Sequence, residues 1–423
     1  MKIRKSRAPV SYAARREEIT LVGGGVNRCA YSRNYTAGKD GLRIGYNIHT
    51  PSGYSFCPSD VTAAYHSDCD DYVYLIAESG IYAGKDSPES ERQLVSVCSG
   101  QITEPFFVES LYGSKMAAVV FGGAYRYVCK SGVVTTIQTD SEYVTGAFHA
   151  GRVFAVKSGE PLVIYWSAQG AFKWGQGIHD GGNLTLTGKG GGIVRLISLG
   201  DKLLIMRRFG ITVVRAYGDA QFFKAEPTHT YLVADGIIGA TCAVCGGKVY
   251  FCTSSGAYYY DGDSVKRAEL PNGEIPLSPK SGASFGGTYF IACADGERDN
   301  AVYAYDTVEG TGCYLDAAAD AFWTGYSVYA VGEGKIVRIE KSEKGTGIWR
   351  SETLYFDKPR FVKEVVAEGD AAVSATVYTD YGSSSFTGGK ILLNCAVKSL
   401  SVEIEGDCAL KSVRVVTEVA DGI

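Results

Sequence analysis

Gly247-Lys248-Val249-Tyr250-Phe251-Cys252, followed after Ser254-Ser255-Gly256 by Ala257-Tyr258-Tyr259-Tyr260-Asp261-Gly262, sets the reading of the chain. A turn opens an apolar strand, a Gly break closes it, and a second strand runs on to a Gly-Asp turn. Gly reaches the positive φ of tight turns without steric cost, and Tyr and β-branched residues suit a pleated, half-buried surface. Asp201-Lys202-Leu203-Leu204-Ile205-Met206, Arg208-Phe209-Gly210 and Ile211-Thr212-Val213-Val214-Arg215 before Gly218-Asp219 repeat the pattern.

Five further copies of the first strand follow the same rule: Asp71 to Ile76, Ser114 to Val120, Gly151 to Val156, Gly287 to Ala292 and Tyr326 to Val331. Their spacing of about 40 to 50 residues is the length of one four-stranded propeller blade. The chain is therefore expected to be all-β, with a propeller of six to seven four-stranded blades over residues 61–345. No long segment keeps an apolar face at helical spacing, and a parallel sheet with crossover helices has no room. Short stretches such as Val61 to Tyr65 or Asp316 to Phe322 have room for a helical turn.

Beyond residue 345 the texture changes to longer alternating runs. Phe361 to Val366, Ala372 to Tyr378, Lys390 to Leu393, Leu400 to Ile404 and Ser412 to Val416 have period two, so a C-terminal β-sandwich-like module is expected over 346–423. Residues 1–60, with Gly23-Gly24-Gly25, read as an irregular arm that completes the last blade or reaches a neighbour.

Composition agrees. The 423 residues are 45% apolar and 21% charged, enough to bury a core, and 53 Gly with 29 Tyr against 11 Pro and 3 Met is a turn-and-strand inventory. A net charge of −4 and pI near 5.9 give no global attraction to nucleic acid or anionic membrane. The start of the chain is locally basic, and Lys2, Arg4, Lys5 and Arg7 read as a partner-contact arm, beside the plainer reading of a solvated terminus. No apolar run approaches a membrane span, and no signal-peptide core follows the basic start, so a soluble chain is expected. The twelve Cys stand singly inside strand patterns, as reduced thiols acting as small hydrophobes.

Chemical motifs are weak. Gly188-Lys189-Gly190-Gly191-Gly192 lacks phosphate-loop spacing and a following helix, and reads as a hairpin turn. Cys242-Ala243-Val244-Cys245 has no second pair at zinc spacing, so strand residues are the better account. His49, His66, His149, His179 and His229 make no ligand pair on one element. Asp68-Cys69-Asp70-Asp71 and Asp295-Gly296-Glu297-Arg298-Asp299-Asn300 are acidic turns that depart from the calcium loop and read as solvated. The Trp-Asp ending of one propeller class is missing, as is the repeated Asp-Gly-Trp turn of sialidase-like ones. The double glycines 122–123, 246–247 and 286–287 fall on different sides of the strands, unlike kelch repeats. No catalytic, metal or cofactor residues are therefore assigned, and the chain is not expected to be an enzyme.

Tyr165-Trp166-Ser167-Ala168, then Phe172-Lys173-Trp174, then Gly192 through Val214 with Gly200-Asp201-Lys202-Leu203-Leu204-Ile205-Met206, resembles the propellers of bacteriophage tail hubs. These are also described as nozzle or packaged-DNA stabilisation proteins. Trp349 to Leu354, Lys358 to Lys363 and the turn Val377 to Gly382 are similar to the sandwich that follows the propeller there. The matching features span about residues 150–215 and 345–420; the N-terminal third departs from the pattern.

The resemblance implies a virion tail component made in the host cytoplasm. It implies a homo-oligomeric, six-copy ring below the portal, in contact with other tail and portal-adaptor proteins, with genomic DNA passing the lumen and no membrane insertion. The rival expectation is a carbohydrate-binding or glycoside-hydrolase-like propeller that uses exposed Trp166, Trp174, Trp323 and Trp349.

Overall fold

The structure is a computed structural model that describes residues 14–23, 26–38, 41–51, 56–86, 94–112, 115–139, 141–169, 181–218, 222–271, 275–342, 345–371 and 373–420. Among the described residues there is no α-helix, and neither stretch where a helical turn was expected is helical. Val61–Ser67 is a strand, and residues 316–320 form an irregular strap before the strand Ala321–Thr324.

The seven apolar runs are all second strands of four-stranded antiparallel meanders: Tyr72–Ala77, Lys115–Gly122, Arg152–Lys157, Lys202–Arg207, Lys248–Thr253, Thr288–Ala294 and Val328–Gly332. A second strand is paired along both edges and covered on both faces, so its sequence is apolar throughout rather than alternating. In the fourth blade Leu203, Leu204, Ile205 and Met206 are all fully buried.

The seven meanders are the blades of a propeller. Their first strands are Val61–Ser67, Phe106–Tyr112, Tyr143–His149, Ile193–Leu199, Ile238–Cys245, Leu277–Phe285 and Ala321–Thr324. Each first strand adjoins the next, and Ala321–Thr324 adjoins Val61–Ser67, which closes the circle. The seventh blade takes three strands from Ala321–Thr324, Val328–Gly332 and Lys335–Lys341, and its fourth, Tyr46–His49, from the N-terminal region.

Neighbouring first strands approach so closely that glycine is required. A Cβ on Gly282 would lie 2.2 Å from the Thr241 carbonyl oxygen of the preceding blade, and one on Gly239 would lie 2.5 Å from that of Val194. Hydrogen bonds cross the same seams: the Leu196 amide donates to Thr145 Oγ1 at 3.2 Å, and the Tyr289 hydroxyl to the Thr241 carbonyl at 2.7 Å. Five of the seven first strands break register with their second strands near the start, at Val61/Ala63, Tyr143/Thr145, Ile193/Arg195, Ile238/Ala243 and Leu277/Ser281. Such bulges sharpen local twist. The double glycines 246–247 and 286–287 have φ of 57° and 74°, and of 56° and 81°, as the tight turn between first and second strands demands.

Residues 48–340 make up this unit; the second unit combines residues 1–47 with 341–423. The expected boundaries are corrected on this point. The N-terminal stretch from residue 14 to 47 is not an irregular arm, because Ala14–Gly23 pairs antiparallel with Leu410–Ala420. Leu354–Gly369 lies between Leu410–Ala420 and Lys390–Gly406. The core of this unit gathers Leu21, Val22, Trp349, Val362, Val365, Val402, Ile404, Val413 and Val415, all fully or nearly fully buried.

The glycine contacts generate a direct test. Gly282→Ala should lower stability by about 1–3 kcal/mol through overpacking. Gly159→Ala, with nothing within 4 Å of the added carbon, should stay within about 0.5 kcal/mol of the wild type. Chemical denaturation of both variants checks this, and equal midpoints would contradict a tight inner ring.

Candidate functional site

A cavity of about 400 Å³ opens between the sixth and seventh blades of the propeller unit. One wall is the strap, with Asp316, Ala317 and Ala318; the others are the hairpin Gly332, Glu333 and Lys335, and the strand end Ile48, His49 and Thr50. Arg298 and Asn300 come in from the loop between Thr288–Ala294 and Ala301–Asp306.

The strap is fastened at both ends. Arg298 Nη1 donates to Asp316 Oδ1 at 3.3 Å and Nη2 to the Leu315 carbonyl at 3.0 Å, while Asn300 Nδ2 donates to Asp320 Oδ1 at 3.2 Å. Arg298 is aimed by Asp295, whose carboxylate is wholly buried and accepts from Arg298 Nε and Nη2 at 2.9 and 2.7 Å. The same carboxylate accepts from the backbone amides of Glu297 and Arg298. Burial pushes the Asp295 carboxyl up, but Arg298 and the two amides outweigh that and hold it below the usual carboxylate range. On the other side, a Cβ on Gly332 would meet the Ala318 carbonyl carbon at 2.8 Å, so the hairpin backs directly onto the strap.

Two exposed side chains that line the cavity, Lys335 and Glu333, make no ion pair among the described residues. His49 lines it too, but its Nδ1 is turned away from solvent and makes no hydrogen bond among the described residues. Donors and acceptors therefore stand side by side in a partly apolar recess, an arrangement suited to holding a small polar molecule.

The other motifs are used internally. The Gly188–Gly192 loop turns its carbonyls, not its amides, toward a cation: Arg207 donates to the Gly191, Thr187 and Gly188 oxygens at 2.9, 3.3 and 3.3 Å. That polarity is the reverse of a phosphate cradle. Asp70 accepts from the Tyr72 amide and the Tyr74 hydroxyl at 3.2 and 3.0 Å and from the Ser131 amide, which fastens the second blade to the first. The two acidic turns are thus not simply solvated.

Cys242 and Cys245 lie on the inner strand of the fifth blade, and Cys245 Sγ contacts Thr307 Oγ1 at 3.6 Å. His66 sits between Asp68 and Asp86, with its Nδ1 3.3 Å and its Nε2 3.6 Å from their carboxylates. His149 bonds Ser198 at 2.8 Å, and His229 packs on Tyr231. Among the described residues no group of three or more His, Cys, Asp or Glu is placed to hold a metal ion, and no helix is long and apolar enough to cross a membrane.

Lys2, Arg4, Lys5 and Arg7 lie outside the described residues, as do Trp174 and His179. Of the expected exposed aromatics, Trp323 is buried against Tyr329, its ring stacked at 4.6 Å, and Trp349 is buried with its Nε1 donating to Asn27. Trp166 is half-buried, edge-on to Phe223 at 5.8 Å. Trp323 and Trp349, expected to be exposed, offer no open ring face. Nothing in the sequence singles out Glu333 and Lys335 beyond the turn chemistry of Gly332-Glu333-Gly334, and His49, which lines the same cavity, is remote in sequence.

No protein-family profile matches the chain, and no curated protein is significantly similar to it. Among solved structures, two crystals of BBS1N in complex with ARL6DN are similar, one soaked with mercury and one with lead. The first has 10% identity and a TM-score of 0.47 over 70% of this chain and 95% of that one. The second has 9% identity and a TM-score of 0.46 over 70% and 96%. The propeller assignment stands on the strand pairing described above.

The buried carboxylate yields a signed pH prediction. Asp295→Ala should cost about 2–3 kcal/mol, short of the 3–5 kcal/mol of a fully buried pair because Arg298 is partly exposed. Since the folded carboxyl titrates below its unfolded value, this stabilisation is complete above about pH 4 and is lost as pH falls toward the folded value. The gap in melting temperature between wild type and variant should narrow from about pH 6 to about pH 3. A gap that widens on acidification contradicts the assignment.

Proposed function

We propose that the chain is a structural component of a bacteriophage-type virion tail, a hub or nozzle subunit that assembles with copies of itself into a ring around the DNA path. In this reading the propeller is a rigid building block and its role is geometric rather than catalytic.

The observation that carries the reading is the resemblance together with where its residues fall. Residues 150–215 supply strands from Arg152–Lys157 to Gly210–Tyr217 in the third and fourth blades, and residues 345–420 supply the long strands of the second unit. Both are framework, and the inner ring of backbone contacts gives the stiffness such a subunit needs. The carbohydrate reading based on exposed tryptophans is weaker, because Trp323 and Trp349 are core residues.

Size-exclusion chromatography with light scattering on the full chain tests this. The expected result is a discrete multiple of the 45.3 kDa subunit mass, with a ring visible by electron microscopy. A monomer at every concentration would overturn it.

A further inference from the structure

We propose that the cavity between the sixth and seventh blades is a binding site for a neutral saccharide unit. The inference is independent of the ring assembly.

Its size comes first. About 400 Å³ lies at the small end of ligand sites and holds about one or two sugar rings. Charge comes second. The lining holds two cations, Arg298 and Lys335, and two carboxylates, Asp316 and Glu333, with Arg298 bound to Asp316 and to Asp295. The balance gives no net attraction for a strongly anionic ligand or for a cation.

Hydrogen-bonding capacity is the third point. Lys335 donates and Glu333 accepts, both are exposed, and neither makes an ion pair among the described residues. Sugar hydroxyls are simultaneous donors and acceptors, so they satisfy such a mixed set where a carboxylate or an amine satisfies half of it. Ile48, Val337, Ala317 and Ala318 provide apolar surface for ring C–H groups.

The site is also built rather than incidental. The strap that forms its wall is held at both ends by Arg298 and Asn300, and Gly332 is the residue that lets the hairpin close against it. The walls are therefore set before any ligand arrives, which reduces the ordering cost of binding. With no Trp, Tyr or Phe among the lining residues, affinity is expected on the order of 1 mM.

Saturation-transfer NMR on the full chain with glucose, galactose, N-acetylglucosamine and maltose tests the proposal. At least one should show transfer at about ten times the expected dissociation constant. Lys335→Ala, at an exposed position that leaves the core intact, should weaken binding about tenfold by loss of a charged hydrogen bond. Ala318→Phe should abolish binding by filling the cavity. Absence of transfer from all four sugars overturns the proposal. So does transfer that survives Ala318→Phe unchanged, and so does displacement of the sugar by acetate or inorganic phosphate at lower concentration than by free sugar.

Discussion

Seven first strands meet around one axis, and the space between them is too small for side chains at the points of closest approach. At Gly239 and Gly282 the neighbour is a backbone carbonyl, which cannot rotate away. The blades follow from that constraint. Each first strand is fixed against its neighbour, so each second strand is enclosed on both faces and becomes the apolar heart of its blade, as in Tyr74, Leu75 and Ile76 or Leu203 to Met206. The seam between the seventh and first blades obeys the same rule with different chemistry. A Cβ on Gly325 would lie 2.6 Å from Asp86 and 2.8 Å from His66, so the buried His66–Asp86 pair fits only because that hairpin has no side chain there.

The loops are held by a second recurring device. A carboxylate caps the backbone amides of its own turn, as in Asp261 with Asp263 and Ser264, Asp295 with Glu297 and Arg298, and Asp306 with Val308 and Glu309. Arginines do the converse, collecting carbonyls: Arg152 takes that of Ser167, Arg207 those of the glycine loop, and Arg298 that of Leu315. Such pairs satisfy buried donors and acceptors that irregular backbone would otherwise leave unpaired. In the sixth blade the two devices meet at Asp295 and Arg298, and the wall of the cavity results.

Much of this was legible because burial on both faces writes itself into sequence. The seven second strands stood out as unbroken apolar runs, and the period-two runs near Phe361, Leu400 and Ser412 lie in the long strands that the structure shows. First strands were obscure, since small residues and register breaks erase alternation along them. Asp316 to Phe322 invites a helical turn because alanine favours helix, yet bonds from Arg298 and Asn300 tie the strap at both ends in an irregular path, a tertiary override of local preference. The fourth strand of the seventh blade is hidden by its distance in sequence, and with it the position of His49 at the cavity. The acidic turn at Asp295 was noticed, but no spacing rule says that Arg298 folds back onto it.

Closure of the ring is the central claim, and native-state hydrogen exchange on the full chain reads it most directly. In a closed ring the amides of Tyr72–Ala77 and Val328–Gly332 belong to the same cooperative unit as those of Lys202–Arg207. They should be equally protected and should open together as denaturant is raised. Exchange in the first and seventh blades that is far faster than in the fourth, and insensitive to denaturant, would describe an open arc of blades and contradict the account.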